Sequence, residues 1–369
     1  MLLVCNLAVA STSAQPRSPK HSVSGSALRG FELTSVRSIL GLQPDPAIDD
    51  LPTGGSSSRS MAAFPRARFS RRVILNQDQR IRLDGVALPL TQNDLCESAY
   101  DAGAIGFIAK FLVQTTLPHR RQPGSHYTRT DGRFTLRITD VGGAGLPFGS
   151  YPRLILIWMT SEAIRTASRE LELGASLSRF MAELGLHATG GHWGTIPRFR
   201  DQMQRLVGAA ISVSWDLDAE GHHLAAGENL LLADRFQLWW TPQILRTAPP
   251  TSSITLSANF FEQLVAAPVP LDLRAVRVLK QSPLALDLYA WATRRVSYLE
   301  RPTLISWEAL RRSFGAGYAD TPQGRVKFRA RVLDALGRVC RVYSSLRLEI
   351  EDGGVLLLPS TPHIPKITR

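Results

Sequence analysis

The chain has 369 residues, 44% of them hydrophobic, which is enough for two domains of ordinary size plus a tail. With 43 Lys plus Arg against 31 Asp plus Glu, its net charge of +12 favours a polyanionic partner, and Arg outnumbers Lys. Three isolated cysteines, Cys5, Cys96 and Cys340, exclude a disulfide framework and a cysteine zinc cluster and fit a reducing, cytoplasmic setting; no apolar run approaches the roughly 20 residues of a membrane span.

Residues 1–70 are rich in Ser, Pro, Gly and Arg, contain GGSSSRS, and predict a disordered basic extension. The first fifteen residues hold a short apolar run without a preceding Lys or Arg, so a secretory signal is not expected. Met61, ahead of the basic stretch Arg66 to Arg72, is an alternative translation start.

A first folded domain is expected over residues 97–246. Ala99 to Leu112 is apolar at helical spacing and predicts a helix. His126 to Thr139 alternates around Asp131-Gly132, a hairpin signal. The glycines of VGGAGLPFGSYP have no Lys and predict a connection rather than a phosphate loop. Pro152 to Arg169 predicts a helix with Leu154, Ile157, Trp158 and Ile164 on one side. Leu177, Phe180, Met181 and Leu184 predict a short helix stopped by Gly185.

After the turn TGGHWG, Thr195 is the expected N-cap of a helix with Pro197 in its first turn. Ile196, Phe199, Met203, Leu206 and Val207 form its apolar stripe, and Arg198, Asp201, Gln202 and Arg205 form a second, polar row. Two β-runs follow, Ile211 to Trp215 and one around Leu230. Short helix, turn, basic helix and hairpin are in the order of a winged helix-turn-helix.

The order recurs in a second domain, residues 253–365, past a Pro- and Thr-rich linker near residues 247–252. Ser282 to Tyr298 predicts a helix and Thr303 to Ile305 a strand. Trp307, Leu310 and Phe314 mark a short helix ending at Gly315. Thr321 and Pro322 open another, with Phe328, Val332, Leu336 and Val339 on its core side and Lys327, Arg331, Asp334 and Arg338 in a polar row. Two β-runs joined by EDGG at 351–354 close the pattern. Gly185 corresponds to Gly315 and Thr195 to Thr321, a degenerate internal duplication. The expected fold is α+β, with two tandem winged-helix domains.

Thr195, Arg198, Gln202 and Arg205 in the first domain, and Arg325, Lys327, Arg331 and Arg338 in the second, are the candidate DNA-binding residues. Arg suits guanine and phosphate, and Gln suits adenine. Asp201 and Asp334 could instead pair with Arg one turn away, as on an ordinary solvated face. Catalysis and cofactors are not expected. His222 and His223 are adjacent, so on a strand they diverge; there is no His-x-His pair for a nickase, no GxxxxGK[ST], no GxSxG and no HExxH. Trp239 and Trp240 could stack on bases, although a core role is the commoner use of such a pair.

Four blocks carry a family resemblance: GFIAKFLVQTTLPHR, GSYPRLILIWMTSEAIRTASRELELGASLSRFMAELGL, WGTIPRFRDQMQRL and SPLALDLYAWATRRVSYLERPTLISWEAL. Together, over about residues 97–365, the chain resembles plasmid-encoded RepA replication initiators. The resemblance implies two tandem winged helices, binding to repeated sites in double-stranded origin DNA, local melting, contact with the host initiator and helicase machinery, and a monomer–dimer balance with autorepressing dimers. A repressor without a replication role shares the same DNA-binding features. One departure is the acidic tip of the second wing, Glu351 and Asp352, which phosphate would repel.

Overall fold

Helix α2, Ser150–Thr166, is the centre of the first half, and every residue from Pro152 to Thr160 is buried. A surface helix would bury one stripe; the run LILIWM buries all sides because strands and helices close around it. The one-sided helix expected here is therefore a central one. The computed structural model describes residues 73–74, 98–132, 134–219, 222–238 and 251–365, with backbone alone at 73–74, 216–219 and 222–225. The expectations for residues 1–70, Met61, Cys5, Cys96 and the Trp239–Trp240 pair lie outside these, apart from the backbone of residues 73–74 just beyond that extension.

The segment expected as one helix over Ala99 to Leu112 is a turn, then β2, Ile105–Ala109, then α1, Lys110–Gln114. Gly103 takes a φ of +58°, which stops any helix, and Gly106 lies where a Cβ would collide with Leu273. The hairpin at Asp131-Gly132 forms as β3, His126–Asp131, and β4, Phe134–Asp140, with Gly132 at φ +59°.

After α2 come β5, Glu170–Gly174, the short α3, Leu177–Glu183, and α4, Thr195–Val207. The long strands β6, Ala209–Ala219, and β7, His222–Leu231, form a hairpin that extends the first one into an antiparallel sheet ordered β3-β4-β6-β7. The chain then passes into β8, Ala233–Gln237. Residues 252–256, expected to lie at the linker and the opening of the second domain, instead form β9, the central strand of a β5-β9-β8 sheet. Helix α5, Ala258–Ala266, still belongs to the first half, where Phe260 meets Phe111 edge-on at 6.1 Å. Ser252, Ile254 and Leu256 are buried in alternation, which a flexible linker would not be.

The second half begins at β10, Pro268–Asp272, followed by α6, Leu273–Leu279, and α7, Pro283–Val296. Then come β11, Thr303–Ser306, α8, Trp307–Phe314, α9, Pro322–Val342, and the hairpin β12, Leu348–Glu351, with β13, Gly354–Leu357. Strand β11 pairs with β13, and the two residues of β1, Val73–Ile74, pair with the free edge of β12.

The halves share one core and fall in one compact unit. Their opening strands pair antiparallel over all five residues, Ile105 opposite Asp272 and Ala109 opposite Pro268. Among the described residues, no helix is long and apolar enough to cross a membrane.

Candidate nucleic-acid interface

In the first half, Gly185 leaves α3 at φ +71°, and the turn that follows is tied by two threonines. Thr195 N donates to Thr189 Oγ1 and Thr189 N donates to Thr195 Oγ1, each at 2.9 Å; Thr195 Oγ1 also donates to His187 O at 2.6 Å. Thr195 is therefore the first residue of α4 and a clamp on the turn. The N-cap position falls to Gly194, where a Cβ would run into the carbonyls of Thr189 and Gly190. Trp193, at the tip of this turn, is 85% exposed.

The four candidates on α4 separate. Arg198 is exposed, and its guanidinium donates back to the carbonyls of Gly194 and Trp193. Gln202 is only 4% exposed; Phe148 N donates to its Oε1 at 2.8 Å, and its Nε2 donates to Asp201. It holds the loop before α2 and does not face solvent, contrary to expectation. Arg205 is ion-paired with Asp201 at 2.8 Å and lies against the Phe148 ring. The reason is angular. A row at i, i+3, i+4, i+7 beside the core stripe sits on its border, and at about 100° per residue Gln202 falls only about 60° from Phe199.

In the second half, Ser306 caps α8 by accepting from Ala309 N, and Thr321 caps α9 by accepting from Gly324 N, both at 3.1 Å. Gly324 is buried, and a Cβ there would meet the Ala319 carbonyl. The first two turns of α9 expose Arg325, Val326, Lys327, Arg329, Ala330 and Arg331. Arg325 and Arg311 share Asp320, at 3.0 and 2.7 Å; the hydrogen bond from Arg325 is the main reason that carboxyl sits below its usual range. Arg338 pairs with Asp334 at 3.2 Å. Among the described residues, Lys327 and Arg331 make no ion pair and line one cleft with Arg120 and Tyr318. The wing tip is drawn back: Trp307 donates from its backbone N to Gly353 O and from its ring to Asp352 O.

The residues that set one half against the other escaped sequence reasoning. Arg153 on α2 is 2% exposed and grips Asp287 on α7 with Nε and Nη2, each at 2.7 Å. Its remaining N–H groups go to the carbonyls of Leu117, Pro118 and Gly149. His119 reaches the same carboxylate at 2.7 Å. Burial pushes the Asp287 carboxyl up, but the charge of Arg153 and the hydrogen bonds from His119 and Arg153 outweigh it and hold the group below the carboxylate range. Burial lowers His119, against the pull of Asp287. Nearby, Arg129 donates to Arg311 O at 3.0 Å and Ser313 donates to Asp131, tying β3 to α8. The only signal was one charge of opposite sign in each of two apolar helices, YPRLILIWM and LALDLYAWA.

Cys340 is a free thiol whose pKa burial raises to about 11, so it is not a ready nucleophile. Among the described residues, no three His, Cys, Asp or Glu side chains gather as a metal site would require.

The turn and the basic helix of the first half lie within a segment that matches a family model; the cap and basic helix α9 of the second lie beyond it. Residues 146–309 match the family model described as plasmid encoded RepA protein. The RepA match runs from the loop before α2 into the first turn of α8 and stops short of α9. Among solved structures, the crystal structure of selenomethionine derivatives of domains 2 and 3 of RctB is 11% identical, with a TM-score of 0.45 over 68% of this chain and 96% of that one. A second crystal structure of RctB domains 2 and 3 is 12% identical, with a TM-score of 0.44 over 67% and 94%. No curated protein matches.

Proposed function

We propose that this protein initiates plasmid replication as RepA proteins do, reading origin DNA with two winged-helix units in tandem and working without enzymatic chemistry. The observation that carries the reading is the repetition, within one chain, of helix, strand, short helix, basic helix and hairpin: α2-β5-α3-α4-β6-β7 and α7-β11-α8-α9-β12-β13. In the second unit, β11 returns to pair with β13, the second strand of the hairpin, as the first strand of a winged helix does; in the first unit β5 pairs with β9 instead. The RepA match over residues 146–309 supplies the biological context.

On this reading α4 and α9 enter major grooves of one duplex, about 34 Å apart along its axis. Phosphate contacts supply affinity and a few base contacts supply register. Lys327 and Arg331 are the cations of α9 best placed to act, and Arg198 leads on α4. Melting of adjacent DNA, contact with host helicase machinery, a dimeric autorepressor form and a cytoplasmic location belong to the same proposal.

The test is binding of the purified protein to the DNA upstream of its own gene against random duplex, over a salt series. Sequence-specific binding, with log K falling by about 0.9 per phosphate contact against log salt, is the expected result. Equal weak binding to both duplexes would overturn the reading. A plasmid that replicates normally without the gene would leave repression as the function.

A further inference from the structure

The polar row on α9 is not the part of the helix that points farthest from the core. Gly324, Phe328, Val332, Ala335, Leu336 and Val339 are buried. At about 100° per residue, the positions opposite them are Gln323, Val326 and Ala330. All three are exposed, and Val326 is 67% exposed. Lys327 and Arg331 lie on one flank of this row, and Arg325 and Arg329 lie on the other, all exposed. In cross-section, Val326 and Ala330, with Gln323 beside them, stand between two pairs of cations.

A helix face that only meets water carries its polar residues at the centre. Here two of the three central residues are apolar and Gln323 is the polar one. Farther along, Leu333 continues the row but packs against the core, so the open apolar strip is confined to the N-terminal turns, the part of a recognition helix that meets base edges. The major groove of B-DNA has the complementary section. It is about 12 Å wide, with phosphates on both walls, and the apolar group on its floor is the thymine methyl.

We infer that Val326, supported by Ala330, reads a thymine methyl on the groove floor, while Lys327 and Arg331 hold one phosphate wall and Arg325 and Arg329 face the other. The inference rests on the proposed DNA-reading function and names the base group that one side chain of α9 recognises. On this geometry Lys327 and Arg331 are phosphate contacts and not base readers.

The experiment selects binding sites for the full-length protein from a random duplex pool, then replaces each thymine of the selected site with deoxyuridine, which removes only the methyl. The expected result is a loss of about fourfold at one or two thymines, the worth of one buried methyl. Val326→Ala should weaken binding to the thymine site by a similar factor and show no further loss on the deoxyuridine site. Lys327→Ala should weaken both sites equally. If Val326→Ala keeps the full methyl sensitivity, or if no thymine is sensitive in the wild type, the inference fails while the DNA-reading function stands. A pool that yields no preferred sequence sinks both.

Discussion

The guanidinium of Arg153 and the carboxylate of Asp287 meet through two parallel 2.7 Å hydrogen bonds, joining α2 of one half to α7 of the other. Both side chains are buried, at 2% and 7% exposure. Removing one partner leaves an uncompensated charge in the interior. Asp287→Ala should therefore cost about 3–5 kcal/mol in urea unfolding, and a double replacement, Arg153→Met with Asp287→Leu, should recover much of it. A loss under about 1 kcal/mol for Asp287→Ala would mean that water reaches the pair.

His119 makes stability depend on pH. Burial lowers its pKa, so in the window just below 6.5 the unfolded chain binds a proton that the folded chain refuses. Stability should therefore fall as pH drops through that window and be fully present above it. His363, half-buried against Tyr343 and Tyr289, contributes with the same sign. His119→Gln should flatten the fall between about pH 7 and about pH 5, measured by urea midpoints, and adding His363→Gln should flatten it further. An unchanged slope in the double variant would assign the dependence to other groups.

Gln202 and Arg331 should behave as opposites. Gln202→Leu strands the Phe148 N–H and should cost about 1–3 kcal/mol of stability, with little change in DNA affinity once folded. Arg331→Ala should leave stability unchanged and weaken binding to specific and random duplex alike, lowering the salt slope by about 0.9. A loss confined to the specific site would return Arg331 to base reading.

Gly324→Ala tests how tightly α9 is seated. Helix propensity alone favours the change by about 1 kcal/mol, but the added methyl would meet the Ala319 carbonyl. We expect net destabilisation of about 1–3 kcal/mol, read as a lower melting temperature. A stabilised variant would show that the turn before α9 gives way.

The second half was the more legible in sequence. Thr321, Gly315 and the EDGG turn each mark a local event, and a cap or turn needs no distant partner to be read. Sequence reasoning failed where distance in the chain decides the outcome. Ile105 to Ala109 has helical spacing but becomes a strand because Pro268 to Asp272 pairs with it. Thr195 has the chemistry of an N-cap, but its hydroxyl is taken by Thr189 and His187. Gln202 sits in a polar row that grazes the core, and an i, i+3, i+4, i+7 count does not show which edge of a face is covered. Arg153 and Asp287 stand 134 positions apart, and nothing local announces that they meet.

The full antiparallel register of β2 with β10, each running straight into a helix, relates these two strands by a local twofold axis. Two separate identical subunits joined in this way would be bound to read the same half-site twice. Two halves in one chain are under no such constraint, and α4 and α9 differ: one shows Pro197, Arg198 and Gln204 to solvent, the other a valine between cations. On the proposed function, a reader with two unlike helices recognises a site with a head and a tail. Copies lined up along DNA on such sites would all point the same way, giving the array a polarity that no palindrome could supply.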